Sequence, residues 1–185
     1  MDKEDIVRTA FLRGDRLYLR PLDAEDLDRC LRWMNDPELT QYLGRKTPMS
    51  REMEKEWLAK QYEDEGSTDF AIVLNDGDRH IGNCGLDNAD FMNGSASLGI
   101  FIGEPDARSQ GYGTDAVRLL LEYGFGELNL HRIYLTVFSF NDRAQRAYEK
   151  AGFVTEGTRR QDYYRHGRYH DTHIMGILRS EWEAT

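Results

Sequence analysis

Arg108-Ser109-Gln110-Gly111-Tyr112-Gly113-Thr114 is the stretch on which the fold turns. Upstream, Ala96-Ser97-Leu98-Gly99-Ile100-Phe101-Ile102 reads as a strand. Downstream, Val117, Leu120, Leu121, Phe125 and Leu128 fall on one face of a long amphipathic helix. Two glycines one residue apart let the chain turn tightly and bring its N–H groups close to a ligand. The helix start adds amides with no acceptor and the positive end of the helix dipole, so the turn is an anion site suited to a pyrophosphate. Arg108 is placed to pair with a further phosphate.

Other readings of the same glycines fit less well. Gly111-Tyr112-Gly113-Thr114-Asp115-Ala116 has the letters of a dinucleotide fingerprint, but that motif follows its strand directly. Here Gly103 to Gln110 intervene, and no acidic residue ends the next strand at the distance of roughly 20 residues that a ribose contact needs. No Gly-Lys-Ser/Thr is present to form a phosphate-binding loop of the Walker type. The glycines taken alone would mark nothing more than a turn before a helix.

A second segment adds to them. His131 to Phe138 alternates as a strand and leads into Asn141-Asp142-Arg143-Ala144-Gln145-Arg146-Ala147-Tyr148-Glu149-Lys150-Ala151-Gly152-Phe153. Asn141 is an N-cap, Gly152 a C-terminal cap, and Asn141, Ala144 and Tyr148 share one helix face. Small residues beside a phenol allow a linear ligand to approach closely. Each of these residues alone has an ordinary structural reading, a cap for Asn141 and a half-buried packing side chain for Tyr148.

Working outward, Leu17 to Leu22 forms a first strand. Asp23 and Asp26 offer N-caps to a helix carrying Leu27, Leu31 and Met34 that ends at Asn35-Asp36-Pro37. Ser50 starts a second helix through Met53, Glu54, Trp57, Leu58 and Gln61. Phe70 to Leu74 and His80 to Leu86 form a hairpin about Asn75-Asp76-Gly77-Asp78. Final strands around Phe153-Val154 and Thr172 to Leu178 flank a polar segment rich in Tyr and Arg. The order β-α-α-β-β-β-α-β-α-β-β predicts an α/β or α+β layer sandwich with a mixed sheet and helices on both faces.

The chain has 185 residues, 39% hydrophobic and 31% charged, which suits one globular domain over 1–185 with its core at about 15–180. Lys and Arg total 24 against 33 Asp and Glu, a net charge of −9. That balance argues against a nucleic-acid partner, which needs a basic footprint, and leans toward a cationic acceptor. Cys30 and Cys84 are isolated, so no disulfide framework or Cys-rich metal site is expected. Met1 to Val7 has no apolar secretory core, and no run of ~18 apolar residues could span a membrane. The expectation is a cytoplasmic protein with no membrane partner.

Together the motifs resemble the GNAT family of acyl-CoA-dependent N-acyltransferases. Its Arg/Gln-x-x-Gly-x-Gly/Ala pattern is present as Arg108, Gly111 and Gly113, and its Asn-x-x-Ala-x-x-x-Tyr-x-Lys-x-Gly-Phe pattern as Asn141, Ala144, Tyr148, Lys150, Gly152 and Phe153. The resemblance runs from Asp15 to Leu178. Trp33-x-Asn35-Asp36-Pro37-Glu38, Gly167-Arg168-Tyr169-x-Asp171 and Met175-Gly176 are similar to the branch of ribosomal-protein N-terminal and spermidine acetyltransferases. It implies a mostly antiparallel sheet and acetyl-CoA as co-substrate. Backbone groups of Ile100, Phe101 and Ile102 would pair with the pantetheine arm, and amides from Ser109, Gln110, Gly111, Tyr112, Gly113 and Thr114 would hold the pyrophosphate, with Arg108 at the edge. Asn141 and Ala144 would meet the arm or the acetyl group, and Tyr148 would protonate the departing thiolate.

The acceptor implied is a primary amine: a protein N-terminus, a polyamine, an aminoglycoside or an amino sugar, acylated directly in a ternary complex. A larger acyl-CoA such as succinyl-CoA, or a non-catalytic acyl-CoA-binding module, has the same pantetheine motifs. Ser97 stands where many relatives carry a basic Glu, which leaves Asp87, Asp90 and Glu104 as carboxylates nearby. His166, His170 and His173 lack convergent spacing and further ligands, so no metal is expected. Tyr163, Tyr164, Arg165 and Tyr169 fall in the hairpin that lies near the acceptor in relatives. Homodimers are common among relatives, though no exposed apolar stripe here demands one.

Overall fold

The computed structural model describes residues 9–60, 63 and 65–184. Both the opening Met1 to Val7 and Gln61, read above from sequence, lie outside them. Strands β1 (Leu12–Arg13), β2 (Leu17–Pro21), β3 (Thr68–Leu74), β4 (His80–Asp90), β5 (Ser95–Ile102), β6 (Arg132–Phe138), β7 (Val154–Arg165) and β8 (Arg168–Leu178) form one sheet of order β1-β2-β3-β4-β5-β6-β8-β7. Every neighbouring pair is antiparallel except β5 and β6. Helices α1 (Leu27–Met34), α2 (Pro37–Thr40) and α3 (Arg51–Lys60) precede β3; α4 (Tyr112–Glu122) joins β5 to β6, α5 (Asp142–Lys150) follows β6, and α6 (Arg179–Trp182) ends the described chain.

Strand alternation sorts the two faces. Leu17, Leu19, Phe70, Ile72, Cys84, Leu86, Ala96, Leu98, Ile133, Leu135 and Val137 point to one side, where Val117, Leu120 and Leu121 of α4 and Tyr148 of α5 complete the larger core. Tyr18, Ala71 and Val73 point to the other, under Cys30 and Trp33 of α1, Leu39 of α2 and Leu58 of α3. Helices therefore cover both faces, as the pattern predicts. Burying each of the larger aliphatic side chains contributes about 1.5–3 kcal/mol, so these two clusters fix the scaffold on which the less buried loop residues are displayed.

Some details differ from the sequence reading. Asp23 caps a single 3₁₀ turn, accepting from the Glu25 N–H at 2.8 Å, but Asp26 makes no side-chain cap for α1. Its carboxylate turns instead to the buried Arg20, accepting from both terminal guanidinium nitrogens at 2.7 Å, because an unpaired Arg at that depth would be far costlier than an uncapped turn. Asn35 ends α1, and Pro37 then opens α2 at a position where a missing N–H costs nothing. The strands expected around Phe153-Val154 and Thr172 to Leu178 are the roots of a long hairpin. The Tyr- and Arg-rich segment lies in its arms, because backbone pairing with β8 does not require an apolar face. After Glu122 the helix continues as a π turn over Tyr123–Glu127.

Candidate active site

The parallel pair is short. Ser95, Ala96 and Ser97 pair with Arg132, Ile133 and Tyr134, and beyond that point β5 and β6 diverge. The edge of β5 from Leu98 to Ile102 that faces β6 therefore has no strand partner. A cleft of about 430 Å³ opens in the gap. It is lined on the α4 side by Arg108, Ser109, Gly111, Gly113 and Thr114, and on the α5 side by Asn141, Ala144, Ala147 and Tyr148. Leu39, Tyr42 and Leu43 close its far end from the opposite face of the sheet. The cleft thus passes through the sheet, and an extended ligand lying in it would cross from one face to the other.

The glycine loop is built as the spacing predicts. Gly111 is the N-cap of α4 at φ +87° and Ser109 stands at φ +62°. No side chain caps this helix, so the first-turn N–H groups of Tyr112, Gly113 and Thr114 face the loop concavity without an intrahelical acceptor. Arg16, which sequence reasoning passed over, grips the loop from β2's approach. Its guanidinium donates to Asp115 Oδ2 at 2.7 Å and to the Gln110 carbonyl at 3.0 Å, and lies 4.9 Å from the centre of the Tyr112 ring. Nothing in local spacing marks Arg16, because the contact joins residues 99 positions apart.

The side chains of Gln110 and Tyr112 lie outside the cleft lining, and Arg16 takes the Gln110 carbonyl and lies over the Tyr112 ring. Arg108 lines the cleft, but its guanidinium donates to the carbonyls of Ile102 at 3.1 Å and Gly103 at 2.8 Å and faces Asp36 at 3.6 Å. In these contacts it clamps the end of β5. Two unpaired strand-end carbonyls and a carboxylate outcompete solvent for it.

On α5, Asn141 Oδ1 accepts from the Ala144 N–H at 3.3 Å, so the cap holds the helix start against the cleft. Tyr148 is buried beside Phe153 and turns toward the gap, with its hydroxyl in no hydrogen bond to another described residue. Burial pushes its pKa up to about 12, so the phenol keeps its proton across neutral pH.

The carboxylates named from sequence separate clearly. Asp90 accepts from the Met92 and Asn93 N–H groups in a turn, and the Asn93 side-chain donor holds its pKa below the usual value. Glu104 pairs with Arg32. Asp87 lines the cleft opposite Ser97, whose hydroxyl donates to the Asp87 carbonyl at 3.0 Å. Tyr163 stacks on Phe138 at 4.1 Å with Lys46 over its ring, whereas Tyr164 and Tyr169 pack on each other outside the cleft. His170 packs on Phe140 and His173 bonds Thr158. No group of three or more His, Cys, Asp or Glu among the described residues could hold a metal ion, and no helix is long and apolar enough to cross a membrane.

The sheet is thus opened between two parallel strands, with an uncapped helix start on one wall and a buried phenol on the other. The sequence pattern described as the acetyltransferase (GNAT) domain matches residues 16–154, and the chain belongs to that family. It is similar to the spermidine N(1)-acetyltransferase of Vibrio cholerae, 31% identical over 170 residues that cover 91% of this chain and 96% of that one. It is also similar to the protein named putative ribosomal N-acetyltransferase YdaF of Bacillus subtilis, 31% identical over 171 residues that cover 90% of this chain and 91% of that one. The crystal structure of the Vibrio cholerae spermidine enzyme in complex with CoA and spermine superposes with a TM-score of 0.86 at 29% identity, over 92% of this chain and 99% of that one. The protein is a GNAT N-acetyltransferase.

Proposed function

We propose that the protein transfers the acetyl group of acetyl-CoA to a primary amine directly, within a ternary complex. The observation that carries this reading is the unpaired edge of β5 beyond Ser97, opening beside the free amides of α4 and the phenol of Tyr148. Acetyl-CoA supplies the activated acyl carbon and a thiolate leaving group. The first-turn amides of α4 receive its pyrophosphate, with the positive charge of Arg16 beside them, and backbone groups of Ile100, Phe101 and Ile102 take its extended arm as an added strand. A strand N–H near Phe101 then polarises the thioester carbonyl.

Tyr148 acts on the sulfur. A phenol at about 12 is a weaker acid than an alkyl thiol at ~8.5, so complete transfer to a free thiolate would run uphill by about 5 kcal/mol. Donating a hydrogen bond to sulfur while the C–S bond stretches carries no such penalty, and that is the task assigned to it. The buried thiols of Cys30 and Cys84 are held protonated, their pKa values raised first by burial, which favours direct attack by the amine over a covalent acyl-enzyme. The similarity to a polyamine acetyltransferase, together with the acidic charge balance, favours a cationic amine.

Two measurements test the reading. Thiol release from acetyl-CoA, screened with spermidine and with short peptides bearing a free N-terminus, is expected to depend on an added amine. In Gly111→Val, a branched side chain must adopt φ +87° and its Cβ meets Arg16 Nη2 at 2.9 Å. Strain of about 1–3 kcal/mol at this position predicts acetyl-CoA binding weaker by ~10-fold or more in calorimetry. Unchanged affinity in that variant would remove the loop from the donor site.

A further inference from the structure

At the end of the cleft closed by Tyr42 and Leu43, the sign of the local charge reverses. The loop after α2 gives Tyr42 and Leu43 to the cleft, and Arg45 and Lys46 to a second cavity of about 500 Å³. Arg165 and His166, at the tip of the β7–β8 hairpin, also line that cavity. No Asp or Glu is among the described residues lining it. Tyr163 stands between the two spaces. Its ring stacks on the cleft residue Phe138 at 4.1 Å, and the Lys46 ammonium lies 4.8 Å from its centre. Arg165 Nη1 donates to its hydroxyl at 3.2 Å.

The direct partners of these cations are neutral. Arg45 Nη2 donates to the Pro48 carbonyl at 3.3 Å and to Met49 Sδ at 3.4 Å, and its shielded Nε has no acceptor among the described residues. The buried Glu54 of α3 acts on Arg45 through space, but burial pushes its pKa up and the two form no ion pair. Arg165 Nε donates to His166 Nε2 at 3.3 Å. Across the hairpin Arg165 pairs in register with Arg168, and like charges directly opposite each other destabilise a strand pair. Among the described residues, no ion pair joins Arg45, Lys46, Arg165 or Arg168 to a carboxylate. In a chain with 33 Asp and Glu against 24 Lys and Arg, such a lining runs against the overall balance. An entering anion supplies what these donors lack.

We propose that this cavity receives an acidic side chain of a peptide acceptor whose N-terminal amine lies in the cleft. This rests on the acetyl-transfer reading above and names its acceptor class. The negative balance of the whole chain draws the ammonium end, and the local cations draw the acidic end. A free amino acid carries its amine and carboxylate on one carbon and is too short to occupy both spaces across the Tyr163 ring. An extended peptide advances about 3.3 Å per residue, so a side chain about three places from the amine passes it. Arg45 and Arg165 offer forked donors to a carboxylate there, and Lys46 a point charge.

The test is acetyl transfer to tetrapeptides with a free N-terminus that differ only in their last two residues, both Glu, both Gln or both Lys, with spermidine as a further amine. Wild type is expected to prefer the Glu peptide over the Gln peptide by about 10-fold in kcat/KM, and the preference to shrink as salt rises from ~0.05 to ~0.5 M. Lys46→Glu combined with Arg165→Glu should turn the order toward the Lys peptide. The milder Lys46→Gln should narrow the preference, and it keeps the test decisive if the double variant does not fold. Each readout is a ratio within one protein, so a general loss of activity does not imitate it. Equal rates for the Glu and Gln peptides in wild type, an order unmoved in the variants, or acetylation of spermidine with no peptide acetylated overturns the proposal. A Glu peptide with a blocked N-terminus that raises spermidine turnover would give the cavity to a separate effector and overturn it too. Stabilisation by acetyl-CoA reads the donor site independently: its absence in wild type, with no thiol released for any amine, would instead sink the acetyl-transfer reading.

Discussion

Asp26→Ala is expected to lower the free energy of unfolding by about 3–5 kcal/mol, the range measured when one partner of a buried ion pair is removed. Arg20 and Asp26 are each 2% exposed and joined by two hydrogen bonds of 2.7 Å. Asp26 also meets His80 Nδ1 at 3.1 Å, and His80 in turn meets Asn83 Oδ1 at 2.7 Å, while Asn83 donates to Cys30 Sγ at 3.4 Å. Deleting the carboxylate strands a guanidinium beneath α1 and leaves His80 Nδ1 without its partner. Against a typical total of ~5–15 kcal/mol, that is a large fraction of stability, read directly as a fall in urea midpoint. Replacing both charges, as Arg20→Met with Asp26→Leu, should cost less than Asp26→Ala alone, because no uncompensated ion remains.

The same pair sets an acid limit. Burial by itself would raise the Asp26 carboxyl, but the hydrogen bonds from Arg20 and His80 outweigh it and hold the pKa far below the usual carboxylate range. A depressed folded pKa means that the stabilisation is fully present above the unfolded value of ~3.9 and is lost progressively as pH falls below it. Wild type is therefore expected to lose stability steeply below pH ~4, and Asp26→Ala, having lost the linkage, to show a shallower acid dependence. A midpoint shift worth less than ~1 kcal/mol in Asp26→Ala would contradict this account of the buried network.

The second large effect is on turnover. On the mechanism proposed above, Tyr148→Phe removes the oxygen that hydrogen-bonds the sulfur as it departs, so kcat is expected to fall by about 100-fold. The KM for acetyl-CoA should hold, because the proposal gives ground-state binding to the amides and the strand edge. Stability should hold too, since the hydroxyl has no described partner to lose. With its pKa raised to about 12, Tyr148 gives the wild-type profile no basic limb below pH ~11. Turnover equal to wild type in Tyr148→Phe would leave thiolate departure unassisted by this residue.

Much of this fold can be read in one dimension because its signals are local. The alternation of Ile133, Leu135 and Val137, the turn at Asn75 to Asp78, the cap at Asn141 and the left-handed Gly111 are each dictated within a few residues. The donor-side cleft follows from two such local units, which is why Gly111, Gly113, Asn141, Ala144 and Tyr148 come together as their spacing implies. What stays hidden depends on distance along the chain. Arg16 reaches Asp115, Asp69 leans across Gly85, and Leu39 and Tyr42 close the cleft from the opposite face only after the sheet is assembled. The Arg108 side chain, too, takes the carbonyls of Ile102 and Gly103, contacts that no local spacing announces. The acceptor end, built largely from such long-range contacts, is the part least legible in the sequence.

The central claim is that the opening between β5 and β6 holds acetyl-CoA. Thermal unfolding measured with acetyl-CoA, and with NAD as the matched dinucleotide control, tests it most directly. A ligand at 100 times its Kd stabilises the native state by ~2.7 kcal/mol, a readily measured rise in Tm. The account predicts that rise with acetyl-CoA alone; a rise with NAD alone, or none with either, would contradict it.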